Sequence, residues 1–235
     1  MTNRVEDLKA RDCFMTYSLT GLKPGTEYYF HVRAADTTAS TASKPEDKPL
    51  SFTTLATSPK PAVYYVAPDG DDANTGLARD KAWRTVGHAA DAANPGDTIM
   101  IAGGTYKEDV RIRATGDEGR PITFKCVPGE KVVFQGENLM QAFTVAAKKH
   151  LRFDGFYFAT FGNSMDAVFM LWRADDVQIT RCLNTQGTGN VGLVVAEYSA
   201  DLLVKNCVTA NGFGMIRLRL CPDSVSYTHL TLPTN

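Results

Sequence analysis

Short runs of alternating hydrophobic and polar residues fill the second half of the chain, and they recur at a nearly constant interval. Leu151-Arg152-Phe153-Asp154, Val177-Gln178-Ile179-Thr180 and Leu202-Leu203-Val204-Lys205 fall on one frame, with first residues 26 and then 25 positions apart. Period-two alternation sends successive side chains to opposite faces, so each run predicts a strand with one buried face. A second ladder, Phe143, Val168, Leu193 and Leu218, repeats every 25 residues; Cys182 and Cys207 take the same step, with Phe156 one turn earlier. Gly162-Asn163, Gly187 to Asn190 and Asn211-Gly212 lie between the runs and are turn formers. Neither a Leu-x-x-Leu-x-Leu frame nor a 3.6-residue stripe occurs there, which sets aside leucine-rich and helical repeats. The pattern predicts a β-solenoid over residues 98–220, each coil stacked on the last, with like side chains in columns about 4.8 Å apart. Phe143, Val168, Leu193 and Leu218 are expected in one interior column.

Ahead of the ladder the period changes. Trp83, Val86, Ala89, Ala90 and Ala93 have helical spacing, Thr85 is placed as N-cap, and Asn94-Pro95-Gly96-Asp97 is a stop. A short helix here would cover the open end of the first coil, where strand edges and apolar rungs otherwise meet water. Thr98 to Ala102 then reads as the first strand.

Several stretches together carry a resemblance. They are Tyr64-Tyr65-Val66-Ala67-Pro68-Asp69-Gly70-Asp71-Asp72-Ala73-Asn74-Thr75-Gly76, Ala82-Trp83-Arg84-Thr85, Pro95-Gly96-Asp97-Thr98-Ile99, Gly103-Gly104-Thr105-Tyr106 and Pro121-Ile122-Thr123-Phe124, with Pro128-Gly129-Glu130 following. Over about residues 62–224 the chain resembles right-handed parallel β-helix proteins of polysaccharide lyase family 9, the Pel9A-type pectate lyases. That resemblance implies a right-handed parallel β-helix, an extracellular or cell-surface location, an acidic polysaccharide as partner, and Ca²⁺ as cofactor. In that family the calcium-binding Asp cluster and the catalytic Lys lie on later coils, in motifs not found in this sequence.

The N-terminal stretch follows a different plan. Pro24-Gly25 turns the chain, after which Tyr28, Phe30, Val32 and Ala34 alternate with Glu27, Tyr29, His31 and Arg33. With Ser51-Phe52-Thr53-Thr54 as a closing strand, Leu19 to Ala34 resembles the end of a fibronectin type III domain, Tyr28 sitting where a tyrosine corner returns its hydroxyl to upstream backbone. About three of the seven strands of such a sandwich are represented. At the other end, Val225 to Thr234 looks like a translated sequencing adapter and is set apart from the fold. The expected plan is thus a partial fibronectin-like β-sandwich at 1–55, a linker at 56–62, a truncated β-helix domain with its capping helix at 63–224, and a non-native tail at 225–235. An internal fragment of a larger gene product is expected.

Composition narrows the partners. Lys+Arg 25 against Asp+Glu 26 gives a net charge of −1, so no global field favours nucleic acid or an anionic membrane. No run of 18 apolar residues is present, so no membrane span is expected, and a monomer is. The five cysteines lack a Cys-x-x-Cys pair and fit no zinc frame; Cys182 and Cys207 read as small apolar fillers, a bond between them being possible on distance but not implied.

Candidate chemistry is sparse. The stretch Asp69 to Asn74 fails the EF-hand frame, because Ala73 takes a ligand position and no Glu closes the loop, and it reads as turn structure. Asp176 and Asp201 are 25 apart, hence neighbours on adjacent rungs, where two carboxylates repel unless protonated or bridged by a hard cation such as Ca²⁺. They are the candidate metal ligands, against the simpler role of Asp as a turn residue before each strand. Lys205, outward in the column Asp154–Thr180–Lys205, is the strand lysine nominated as a catalytic base, against a solvated surface role. His31, His88 and His150 lie on different elements and point to no dyad.

Three function classes follow. One is an extracellular, calcium-dependent polysaccharide lyase working by β-elimination. The second is a non-catalytic surface adhesin or glycan-binding β-helix, and the third a glycoside hydrolase on the same scaffold with paired carboxylates. Whether the chain is an enzyme is left open: the lyase requires the full-length protein, and these 235 residues alone are expected to be inactive.

Overall fold

A computed structural model describes residues 19, 22–23, 25–30, 49–54, 60–136, 141–161, 167–185, 192–210 and 216–221. The chain divides into two compact units, Met1–Ser58 and Pro59–Asn235. In the first, β1 (Glu27–Phe30) pairs antiparallel with β2 (Leu50–Thr53), Tyr28 opposite Phe52. The expected alternation holds where it is described. Tyr28 and Phe30 share a face with Phe52, at ring centroid distances of 5.8 and 6.1 Å; Tyr28 is half-buried there, and Tyr29 and Phe30 are exposed. The Tyr28 hydroxyl accepts the Lys23 backbone N–H at 2.7 Å. Val32, Ala34 and the tail 225–235 lie outside the described residues.

The second unit is a β-solenoid of three parallel sheets. With strands numbered along the chain, the first sheet stacks β3 (Val63–Val66), β4 (Thr98–Ile101), β7 (Ile122–Cys126), β10 (Lys149–Asp154), β13 (Asp175–Thr180) and β16 (Ala200–Lys205). The second stacks β5 (Gly104–Tyr106), β8 (Val132–Gly136), β11 (Phe156–Phe161), β14 (Leu183–Asn184) and β17 (Val208–Thr209). The third stacks β6 (Val110–Ile112), β9 (Phe143–Ala146), β12 (Ala167–Trp172), β15 (Gly192–Glu197) and β18 (Ile216–Arg219). Each coil adds one strand to every sheet, so interior strands pair on both edges and their backbone groups are satisfied by the rungs above and below.

Registers confirm one expected column and correct the other. Leu151, Val177 and Leu202 pair in series on the first sheet, above Ile122. On the third sheet Phe143 pairs with Phe169 rather than Val168, and Leu218 pairs with Ala196 rather than Leu193. The true column is Val110–Phe143–Phe169–Val194–Ile216, with later steps of 26, 25 and 22 residues (143 to 169, 169 to 194, 194 to 216). Val168 and Leu193 are both buried, one position out of that column. Leu218, on the last described rung, is exposed.

Aromatic rings dominate the centre of the core. Phe143 stacks on Phe169 at 5.1 Å, Phe124 on Phe153 at 5.4 Å, and Phe134 meets Phe143 edge-on at 4.9 Å. Such pairs add about 0.5–1.5 kcal/mol each beyond the burial of their area. Higher up, the column that runs through Val132 and Phe156 continues as Cys182 and Cys207, both buried and both free thiols; the Cys182 N–H donates to Cys207 Sγ at 3.4 Å. They fill the column as small apolar groups.

The cap forms as its pattern predicts. Helix α1 spans Val86–Ala92, its N-cap Thr85 accepts the His88 N–H, and Val86, Ala89 and Ala90 are buried. A second, distant cap was not visible in the sequence: the Glu108 carboxylate accepts the Val86 and Gly87 N–H groups at 3.1 and 2.9 Å. Burial pushes the Glu108 carboxyl up, outweighing those two hydrogen bonds. Thr98–Ile101 is not the first strand of its sheet. Val63–Val66 precedes it, and buried Asp97 fixes the junction by accepting Ala62 N and Asn94 N, both at 2.8 Å. Trp83 stacks on Tyr64 at 4.6 Å, and a Cβ at Gly76 (φ +71°) would lie 2.6 Å from its ring.

Candidate functional site

The corners of the solenoid decide where the polar side chains stand. Nine described residues other than glycine have positive φ, and all fall into three columns. Ala147, Arg173, Tyr198 and Leu220 form the first, where the third sheet leads into the first; His150, Asp176 and Asp201 form the second, three residues on. Gly155, Arg181 and Asn206 make the third, between the first and second sheets. Left-handed backbone costs an L-residue roughly 1–2 kcal/mol, and Asp and Asn tolerate it best because their side chains bond locally. The 25-residue step from Asp176 to Asp201 is therefore the step of the corner itself.

Asp176 is engaged by two side chains. Its Oδ2 lies 2.7 Å from His150 Nδ1 and 2.8 Å from Arg152 Nη2, and Arg152 Nη1 also donates to the Asp176 carbonyl at 2.8 Å. Burial pushes the Asp176 carboxyl up, but the Arg152 and His150 hydrogen bonds and charges together hold it below the usual aspartate range. With Asp176 ionised, His150 Nδ1 is the donor of this contact. The sequence offered one signal for this pair: the 26-residue step from Leu151 to Val177 also carries His150 to Asp176. Beside them Lys149 pairs with Asp175 at 2.9 Å, and Asp154 accepts Thr180 Oγ1 and Arg181 Nε, each at 2.8 Å.

The three nominated residues share the first sheet without converging. Asp176 and Asp201 are in register across adjacent rungs. Lys205 is exposed, in register with Thr180 and Asp154, at the opposite end of β16 from Asp201. Lys205 is four steps along the strand from Asp201, about 13 Å of backbone. Among the described residues no group of three or more His, Cys, Asp or Glu side chains is placed to hold a metal ion.

Near the cap lies an open cleft of about 660 Å³, bounded by Pro68, Asp69, Arg79, Asp80 and Gly103. Its polar groups already have structural work, since Arg79 pairs with Glu130 at 2.6 Å and Glu130 accepts the Gly103 N–H at 2.6 Å. The neighbouring acids serve the turn. Asp71 accepts Ala73 N, and Asp72 accepts Arg84 N, Thr85 N and the Thr85 hydroxyl.

Residues 64–214 match the family described as Pel9A-like, right-handed β-helix region. The chain belongs to that family. It is 42% identical over 78 residues to the uncharacterized protein YwoF of Bacillus subtilis, a stretch covering 33% of this chain and 16% of YwoF. It is 35% identical over 80 residues to pectate lyase PEL9 of Emericella nidulans, covering 33% of this chain and 19% of that enzyme. The chain thus matches less than a fifth of the length of either relative. Among solved structures, the lacto-N-biosidase of Eubacterium ramulus aligns with a TM-score of 0.55 at 12% identity, over 71% of this chain and 36% of that one. That likeness is one of fold, and with the family match it makes this solenoid a right-handed parallel β-helix. Among the described residues no helix is long and apolar enough to cross a membrane.

Proposed function

We propose that this β-helix serves an extracellular, polysaccharide-active protein of the pectate-lyase kind, which binds an acidic glycan and, as a whole protein, cleaves it by calcium-dependent β-elimination. The observation that carries this is membership of the Pel9A-like family over 64–214, supported by 35% identity over 80 residues to a pectate lyase. The N-terminal unit serves as a fibronectin-like spacer, a role supported by the Tyr28 hydroxyl bonded to upstream backbone.

Elimination at a uronate needs a base to take the C5 proton, a cation to neutralise the carboxylate beside it, and a groove to hold the chain. Lysine serves as the base when burial or nearby positive charge lowers its pKa. Lys205 is exposed and stands far along the strand from the Asp column, so it is a poor base as placed. Calcium takes six to eight oxygen ligands. Asp176 and Asp201 do not meet that need, because Asp176 is held by His150 and Arg152, and no step of the reaction is assigned through them.

The 235-residue chain is therefore expected to bind polygalacturonate without cleaving it. The assay follows the unsaturated uronate product by its absorbance near roughly 235 nm, from the conjugation created by proton abstraction beside a carbonyl. Calcium-dependent growth of that signal, abolished in Lys205→Ala, would overturn the expected inactivity and place the base on this coil. Absence of both turnover and binding would sink the acidic-glycan reading.

A further inference from the structure

Two aromatic rings stand in water at the outer edge of the third sheet, Trp172 on β12 and Tyr198 in the corner after β15. Trp172 is 48% exposed and Tyr198 43% exposed, on adjacent rungs, with ring centroids 5.7 Å apart and planes at 49°. This exposure is not an effect of the last described rung, since Glu197 and then Arg219 follow Trp172 in register. For Trp172 it follows from the pleat: Phe169 and Leu171 turn inward on β12, and Met170 and Trp172 turn outward.

The surroundings of the rings are cationic. The column through Trp172 reads Ala146–Trp172–Glu197–Arg219, and the column two residues before it reads Arg111–Thr144–Met170–Val195–Arg217, in which Val195 is buried. Arg173 stands below Tyr198 in the left-handed corner column. Arg217 and Arg219 thus stand on the rung above Glu197, which meets Arg219 at a loose 3.7 Å. On the rung below, Ala146 and Ala147 are small, which keeps the approach to the indole open.

Two exposed rings are far short of the roughly 800 Å² per partner that a stable protein interface buries. They suit a ligand that repeats on the scale of the rungs. A sugar ring offers an apolar C–H face to an aromatic plane, and a uronate adds a carboxylate that a guanidinium binds through paired N–H donors. The rung repeat of about 4.8 Å is close to the length of one sugar unit in an extended chain, so a polymer running along the solenoid meets one rung per unit.

We infer that the outer edge of the third sheet and the corner that follows it, centred on Trp172 and Tyr198 and flanked by Arg217 and Arg219, form a binding site for polyuronate. It is a different surface from the first-sheet corner that carries Asp176 and Asp201. The inference rests on the acidic-glycan reading above and adds where the glycan lies.

The chain has two tryptophans, and Trp83 is buried against Tyr64, so quenching of emission by acrylamide reports on Trp172. Polygalacturonate is expected to protect that emission, and its methyl ester, which lacks the charge, to protect it far less. Trp172→Ala should weaken polygalacturonate binding roughly tenfold or more, as loss of an aromatic anchor does. The double variant Arg217→Glu, Arg219→Glu should weaken it while keeping the circular dichroism of the parent. Binding retained in both variants would overturn this site and leave the acidic-glycan reading standing. Failure of the parent chain to bind would overturn both. Protection of Trp172 that grows with protein concentration alone would make the face a self-contact and overturn the site.

Discussion

Ala147 sits at φ 52° in a corner column where Arg173, Tyr198 and Leu220 repeat its backbone, and it has no side-chain hydrogen bond with which to offset the strain. Glycine adopts this conformation freely, at the cost of more entropy in the unfolded chain. Ala147→Gly is therefore expected to stabilise by about 0.5–1 kcal/mol, seen as a rise of a few degrees in melting temperature. Gly155 is the converse case: at φ 90° an added Cβ would lie 2.4 Å from Cys126 Sγ, so Gly155→Ala should destabilise by roughly 2–3 kcal/mol. Equal melting temperatures for the two variants would refute the corner argument. Asp176 adds a pH dependence. Its folded carboxyl is held below the ordinary value of 3.8, so the folded state binds fewer protons than the unfolded one near that pH. The stability it contributes is present above pH 3.8 and is lost as the pH falls through its lower folded value. Urea midpoints at pH 5 and pH 3 should therefore differ less in Asp176→Asn than in the parent; an unchanged difference would show that the His150 and Arg152 contacts do not persist in solution.

Elements with local signals were legible in the sequence, and registers that depend on coil length were not. Helix α1 was readable from Thr85 and the alanine spacing because a cap and a helical stripe are properties of one short segment. The first-sheet column Leu151–Val177–Leu202 was readable because the corner before it has constant length. The third-sheet ladder slipped by one residue at Phe169 because the stretches before β12, β15 and β18 differ in length, and a strict 25-residue ruler cannot follow them. The pairing of His150 with Asp176, and of Glu108 with the start of α1, joins residues 26 and 22 or 21 apart with no shared motif, so neither was nominated. The cap also yields a test at this scale. Thr85 Oγ1 accepts the His88 N–H at 3.1 Å and donates to Asp72 at 2.8 Å. Thr85→Ala should cost about 1 kcal/mol and Thr85→Ser a few tenths. If Ser fails to rescue the loss, the hydroxyl is not the operative group.

For the molecule as a whole, the solenoid predicts that the effect of a core substitution depends on whether its rung has neighbours on both sides. In a stack each coil touches only the coils next to it, so stability is close to a sum of coil and interface terms. Ile179 is buried between Phe153 on the rung below and Val204 on the rung above. Ile216 ends the column that descends through Val194 and Phe169, and is only partly buried on the last described rung. The two residues are chemically identical, and truncation removes the same atoms from each. Ile179→Ala leaves a cavity walled by both neighbouring rungs and should cost roughly 3–4 kcal/mol, within the range for buried isoleucine. Ile216→Ala opens a space that water reaches from one side and should cost roughly 1 kcal/mol, since little cavity remains to be left empty. Urea denaturation of both variants reads the contrast directly, and the slope of the transition adds a second measure. Loss at Ile216 confined to the last described coil should lower that slope, because less surface is then exposed in the main transition. Equal destabilisation at both sites, with unchanged slopes, would mean that the coils unfold as one unit and that nearest-neighbour stacking does not govern this β-helix.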